Sequence, residues 1–261
     1  MWPGGARAAA AFTFDLDAEE VWLADDPANV SKPGVLSQGA YGPKIALPRI
    51  LELLDRHGVD ATFFVPGRVA ERYPDRVRAI VEAGHELAHH GLTHRAPSAL
   101  GREDEETELV EAKRILASFG VEIAGYRSPS LDLSPHTLEL LRAHGFRYSS
   151  NLMDDDRPYL HEGEGPVEIP VHWMLDDAPH FWFDVDTWAK RIAPAAEVRS
   201  IWLEEFEGIT RFGGCTVFIS HPQIIGRPGR LAMLEDVVRA VRAREDVWVA
   251  PCRAIAEAAG R

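Results

Sequence analysis

The sequence predicts an α/β fold in which short parallel strands alternate with helices, a pattern that a barrel would close. Three observations carry this. β-forming runs alternate with helical runs along the whole chain. No repeat, linker or shift of composition divides the 261 residues, so they read as one domain, 1–261. The residues that bear chemistry also fall just past apolar runs, where the carboxyl ends of α/β strands gather their ligands.

Ala8 to Asp15 is an apolar run ending in β-formers, a buried strand that stops at an acidic cluster, Asp15 and Asp17. A polar, turn-rich segment then extends to about Gly42, too long for a simple turn. Lys44 to His57 places Ile45, Leu47, Ile50, Leu51 and Leu54 on one helical face and stops at Gly58. Val59 to Pro66 reads as a strand and Arg68 to Ala83 as a helix ended by Gly84. A strand leads into the histidine cluster. Further on, Arg102 to Phe119 is an acidic helix, Ile123 to Tyr126 a short strand, and Ser134-Pro135 opens a helix that Gly145 closes. Phe146 to Ser149 and Val167 to Val171 are short strands. Helical patterns cover Asp186 to Phe212 and Arg230 to Arg244, with strands at Cys215 to Ser220 and Val247 to Ala250.

With 46% hydrophobic residues the chain can bury a sizeable core. Its net charge of -13, with no Lys/Arg block, argues against nucleic acid or an anionic membrane as partner. Cys215 and Cys252 read as buried thiols rather than as a disulfide. The N-terminus shows neither a signal h-region nor a membrane span, so a cytoplasmic protein is expected.

The densest chemistry lies in Gly84 to Pro97, GHELAHHGLTHRAP, which holds four of the eleven histidines: His85, His89, His90 and His94. His90 and His94, four apart, have the spacing at which two imidazoles grip one cation, although such a pair also arises in ordinary polar loops. Asp15 alone reads as an Asx-turn or helix cap. Two histidines and a strand-end aspartate together favour a metal, and that donor set suits Zn, Fe(II), Co or Mn. His89 and His90, adjacent on a strand, face opposite ways, which leaves His85 and His89 out of the site. Arg127 and His221 each follow another β-like run, and a barrel would gather all of these at one rim. Trp22, Trp173, Phe181 and Trp182 suit an aromatic substrate wall and core packing equally. In Gly226 to Arg230 no phosphate-loop spacing is present, and a turn is the better reading.

Taken in order, TFDLDAE, HHGLTH, YRSPS and ISHP resemble the motifs of the polysaccharide deacetylases, the NodB-homology amidohydrolases of carbohydrate esterase family four. The resemblance spans nearly the whole chain. One departure is that Leu16 separates Asp15 from Asp17, where the family has adjacent aspartates. MDDDRPY, HWMLDDAPHF and HPQIIGRPGR resemble a cytoplasmic subgroup that includes peptidoglycan-deacetylase-like proteins, cyclic imide hydrolases and an allantoinase-like branch. The resemblance implies a distorted (β/α) barrel of about seven strands and hydrolysis of a non-peptide C–N bond. It implies a divalent metal, zinc first and Co, Mn or Fe as alternatives, on Asp17, His90 and His94. Such a metal lowers the pKa of bound water towards roughly 7. It further implies Asp15 as general base aimed by Arg127, and His221 as the acid that protonates the leaving nitrogen, oriented by Asp155 or Asp156. Trp173 is assigned to the substrate pocket and a homo-oligomer, a tetramer in this subgroup, is expected. The expected substrate is an N-acetylated sugar or polysaccharide, with a small cyclic imide or ureide as the alternative. A non-catalytic binding module is a third reading, disfavoured because binding alone needs neither an acid nor a base.

Overall fold

The computed structural model describes residues 2–161, 165–183 and 192–260. It is a mixed α/β molecule with one curled sheet, a distorted half-barrel. The strands are β1 (Ala8–Asp15), β2 (Thr62–Val65), β3 (Glu86–His89), β4 (Gly125–Tyr126), β5 (Tyr148–Ser149), β6 (Tyr159–Leu160), β7 (Val167–Glu168), β8 (Cys215–Ser220) and β9 (Val247–Val249). Their order is β6-β7-β5-β4-β3-β2-β1-β8, all parallel except the β6–β7 pair.

β1 organises the sheet. β8 pairs with it from Ala9 to Phe14, so β9, at Ala8–Ala10, and β2, at Thr13–Asp15, share its other edge. The far side closes through the chain that continues from β7. Ile169 and Val171 donate to Ser149 and Leu152, and Asp176 then bridges Ile219 of β8. Seven parallel strands, β1 to β5 with β7 and β8, therefore curl around one interior, and β9 lies beside β1. That bridge carries Asp176 and Asp177 to the end of β8.

The alternation along β1 explains both layers. Phe12 and Phe14 point outward to the helices, where Phe12 stacks on Phe218 at 5.0 Å and Phe14 on Phe63 at 4.9 Å. Ala9 and Ala11 point inward, and the interior they leave is filled by Phe64 and Tyr148. Gly125 is required there, because a Cβ would meet the Tyr148 ring at 1.8 Å.

Several boundaries differ from the sequence pattern for identifiable reasons. The segment between Asp17 and Gly42 contains helices Glu20–Asp25 and Pro33–Tyr41. The helix expected from Lys44 begins at Leu47, because Pro48 supplies no N–H to the preceding turn, and Gly42–Ala46 widens into a π-turn. Pro74 divides the next helix into Gly67–Arg72 and Pro74–Glu82. The strands at 123–126, 146–149 and 167–171 shrink to two residues each. Of the helix expected over 186–212, Ala195–Phe212 is helical, 192–194 are not, and 184–191 lie outside the described residues. A helix at Cys252–Ala259 follows β9. No helix among the described residues is long and apolar enough to cross a membrane.

Candidate active site

Asp15 ends β1 and Asp17 follows it. His90 follows β3, Arg127 follows β4 and His221 follows β8, so the parallel strands deliver all of them to one end of the barrel. The loops that carry them are strained. Ala18, His94, Ser130 and Leu131 all have φ between 49° and 61°, a region that costs a non-glycine residue about 1–3 kcal/mol.

Asp17 Oδ1 lies 3.3 Å from His90 Nε2 and 3.5 Å from His94 Nε2, and it is a buried oxygen with no hydrogen-bond donor. His90 donates its Nδ1–H to the Arg127 carbonyl at 2.8 Å, which leaves Nε2 as the lone-pair nitrogen of the neutral ring. Three electron-pair donors, all within 4.8 Å of one another, therefore converge on one point. Only a cation or a shared proton stabilises that arrangement, and two imidazoles with one carboxylate fit a divalent ion. Burial alone would raise the Asp17 carboxyl, but its contacts with His94, His90 and His221 hold it well below the usual carboxylate range. Burial pushes His94 down to about 4, keeping it neutral at pH 7. Burial likewise opposes a charge on His90, yet Asp15 and Asp17 raise its pKa.

Beside these residues stands a buried ion pair. Arg127 Nη1 donates to Asp15 Oδ1 at 2.8 Å and to Thr13 Oγ1 at 2.8 Å, while Nε and Nη2 reach the carbonyl and hydroxyl of Ser150. Its guanidinium lies 4.1 Å over the Phe64 ring. Asp15 Oδ2 is thus left facing His90 Nε2 at 3.9 Å.

His221 Nε2 approaches the other Asp17 oxygen, at 3.7 Å, and Gln223 donates to that same oxygen at 3.3 Å. The aspartate that orients His221 is Asp177. Its Oδ1 accepts from Nδ1 at 2.6 Å and its Oδ2 from the His221 backbone N–H at 3.0 Å. Burial opposes protonation of His221, but Asp177, Asp176 and Asp17 push its pKa well above the usual range. Asp176 is itself raised by burial to about 7. This corrects the assignment of Asp155 or Asp156. The Asp156 carbonyl accepts from Cys215 N, at the start of β8, and the Asp155 side chain from Arg157 N, whereas His221 follows the end of that six-residue strand. At about 3.3 Å per residue the two ends stand roughly 20 Å apart.

Trp173 is 42% exposed on the turn Trp173–Leu175 that leads into Asp176. Trp22 and Trp182 stack at 4.9 Å on the segments that follow Asp17 and Asp177, and Phe181 is buried beneath Arg230. His85 packs on Phe63, and His89, wholly buried, meets the Leu109 carbonyl at 3.1 Å. Sequence reasoning missed Asp177 and Gln223. The available signal was the Asp-Asp pair in HWMLDDAPHF, which competed with the equally acidic MDDDRPY.

The polysaccharide deacetylase model matches residues 40–149. The crystal structure of a proposed polysaccharide deacetylase from Mycobacterium smegmatis is 41% identical, covers 100% of this chain and 92% of its own, and superposes with a TM-score of 0.96. The chain belongs to the polysaccharide deacetylase family. It is a hydrolase of carbon–nitrogen bonds other than peptide bonds. This deacetylase is 29% identical to the peptidoglycan deacetylase of Helicobacter pylori over 92% of both chains. It is also 25% identical to an allantoinase over 98% of this chain and 91% of that one, with a TM-score of 0.84.

Proposed function

We propose that this deacetylase removes the acetyl group from an N-acetylated amino sugar within a polysaccharide or oligosaccharide, using one compact unit over residues 1–261. Asp17, His90 and His94 would hold the divalent ion, with zinc the first candidate for this donor set. The ion would supply Lewis acidity for activating water and for the charge that develops on the amide oxygen.

The remaining work falls to the chain's own side chains. Asp15, aimed by Arg127, takes the proton from the attacking water. Water adds to the amide carbon, the C–N bond breaks, and acetate separates from the amine. His221 gives its proton to the leaving nitrogen, because an amide anion leaves poorly. Its carboxylate partners favour the protonated ring, and the Nδ1 bond to Asp177 points Nε2 towards the reacting atoms. The observation that carries this reading is the placement of base and acid about Asp17. Asp15 faces the imidazole that meets one Asp17 oxygen, and His221 faces the other oxygen.

A second reading, opening of a small cyclic amide, is favoured by a specific observation. The allantoinase superposes at a TM-score of 0.84, level with the 0.85 of a probable polysaccharide deacetylase from Pseudomonas aeruginosa at the same 25% identity. In this chain both reactions would draw on Asp15 as base and His221 as acid. A homo-oligomer in the cytoplasm belongs to the proposal through the subgroup resemblance alone. The test is to incubate zinc- or cobalt-loaded protein with N-acetylglucosamine oligomers and, separately, with succinimide. Acetate release supports deacetylation, and half-amide without acetate transfers the assignment to the cyclic amide. Turnover of either substrate by Asp15→Asn would remove Asp15 as base.

A further inference from the structure

His94 sits in the left-handed backbone region, uncommon for a residue other than glycine, with φ of 59°. Such strain persists where the surroundings over-determine it. The polar groups of its loop are accounted for on two sides. Gly91 and Leu92 direct their carbonyls to the backbone N–H groups of Gly67 and Arg68, at 3.0 and 2.9 Å. On the other side a single carboxylate collects the donors. Glu108 Oε2 accepts from the Leu92 and Thr93 backbone N–H groups at 3.4 and 3.3 Å. Glu108 Oε1 accepts from Thr93 Oγ1 at 2.6 Å and from Arg95 Nε and Nη2 at 3.0 and 2.7 Å.

Glu108 thus grips the residue before His94 and the residue after it. It projects from the middle of helix Arg102–Ala117, which contributes no other group to the site described above. Its side chain is buried, and the steric room for drift is small. Leu92 is packed so closely that a Cβ on Gly67 would meet it at 2.7 Å. Five donor contacts on two oxygens suit a carboxylate, since a glutamine in its place would have one accepting oxygen and would present an N–H to donors.

We infer that Glu108 is a positioning residue for the cation site, a clamp that holds the 92–95 loop so that His94 Nε2 faces His90 Nε2 and Asp17 Oδ1. The inference rests on reading Asp17, His90 and His94 as metal ligands, and it adds a group thirteen residues beyond the end of the loop that no motif marks. Groups that orient a metal ligand from behind typically change metal affinity by roughly 10–100-fold when removed.

The experiment measures zinc affinity of the full chain by chelator competition at one pH, for the wild type, Glu108→Gln and Thr93→Val. Glu103→Gln, an exposed position on the same helix, controls for the lost charge. Chemical unfolding in excess chelator is measured in parallel, with the visible ligand-field spectrum of the cobalt-loaded proteins. Zinc binding weakened roughly 10–100-fold in Glu108→Gln, less in Thr93→Val and not in Glu103→Gln, together with a changed cobalt spectrum, is the expected result. Should Glu108→Gln not fold, Thr93→Val carries the same test in the same direction. Zinc affinity and cobalt spectrum that stay at the wild-type values, whatever the loss of metal-free stability, would overturn the clamp and leave the metal assignment standing. A wild-type protein that binds no zinc or cobalt would overturn the assignment and the clamp with it.

Discussion

Replacing Arg127 by methionine tests the electrostatic centre of the barrel. The guanidinium has no exposed surface and donates to Asp15, Thr13 and twice to Ser150. Methionine refills much of the volume over Phe64 and removes every donor. Asp15 is then a carboxylate at 4% exposure with no compensating charge at 2.8 Å. Breaking a buried pair in this way costs about 3–5 kcal/mol, and each other orphaned acceptor can add about 1–3 kcal/mol. Because domains are stable by only about 5–15 kcal/mol, the variant should sit near its unfolding threshold. The assay is guanidinium unfolding at pH 7 in excess chelator, followed by tryptophan fluorescence. Arg127→Lys should recover part of the loss, since one ammonium cannot reach all four acceptors. Adding Asp15→Asn to Arg127→Met should cost less than the sum of the two singles, because no charge is left unpaired. A cost below about 1 kcal/mol for Arg127→Met, the range of an exposed pair, would refute the reasoning.

Three further outcomes follow from the same geometry. Asp177→Asn should lower turnover by roughly 10²–10⁴-fold. It should also move the alkaline limb of the pH profile to lower pH, since the proposed acid, His221, would act in its protonated form and Asp177 raises its pKa; an unmoved limb would exclude His221 as acid. In excess chelator His94 and His89 should withdraw stability as pH falls from about 6.5 through about 4, while Asp176, raised to about 7 by burial, contributes in the opposite direction. Burial depresses His94 to about 4 and His89 to about 3, so the unfolded chain takes up protons that the folded one refuses. His94→Gln should flatten that slope, and an unchanged slope would exclude the histidine as its source. Asp155→Asn and Asp156→Asn should leave turnover on the best substrate close to wild type, as changes far from a site usually stay within about 0.5 kcal/mol; a hundredfold loss would restore them to the catalytic end.

Much of the site was legible in one dimension because local chemistry marks the ends of parallel strands. Asp17, His90 and His94 stand at such ends and converge on one point. Arg127 likewise follows a two-residue strand whose tyrosine and glycine are buried, and its guanidinium has no route but inward. The shortness of β4, β5 and β7 was not legible, because residues of similar composition flank the ladder, before β4 and β5 and after β7. Nor was the π-turn before Leu47, since a proline tolerated in a first helical turn looks the same as one that shifts the register.

The partner of His221 shows where a linear reading ends. Two acidic stretches of similar composition were available, and the bridge between Asp176 and Ile219 decides between them by bringing one beside the end of β8. Glu108 reaches His94 in the same indirect way, through the packing of a helix against a loop. The order of residues determined which groups the strands would carry to the rim and what chemistry they can perform, because period and strand ends are local properties of the chain. Only the tertiary structure decided which buried carboxylate orients each histidine, because that depends on how the curled sheet closes and on which loop its seam brings within hydrogen-bonding distance.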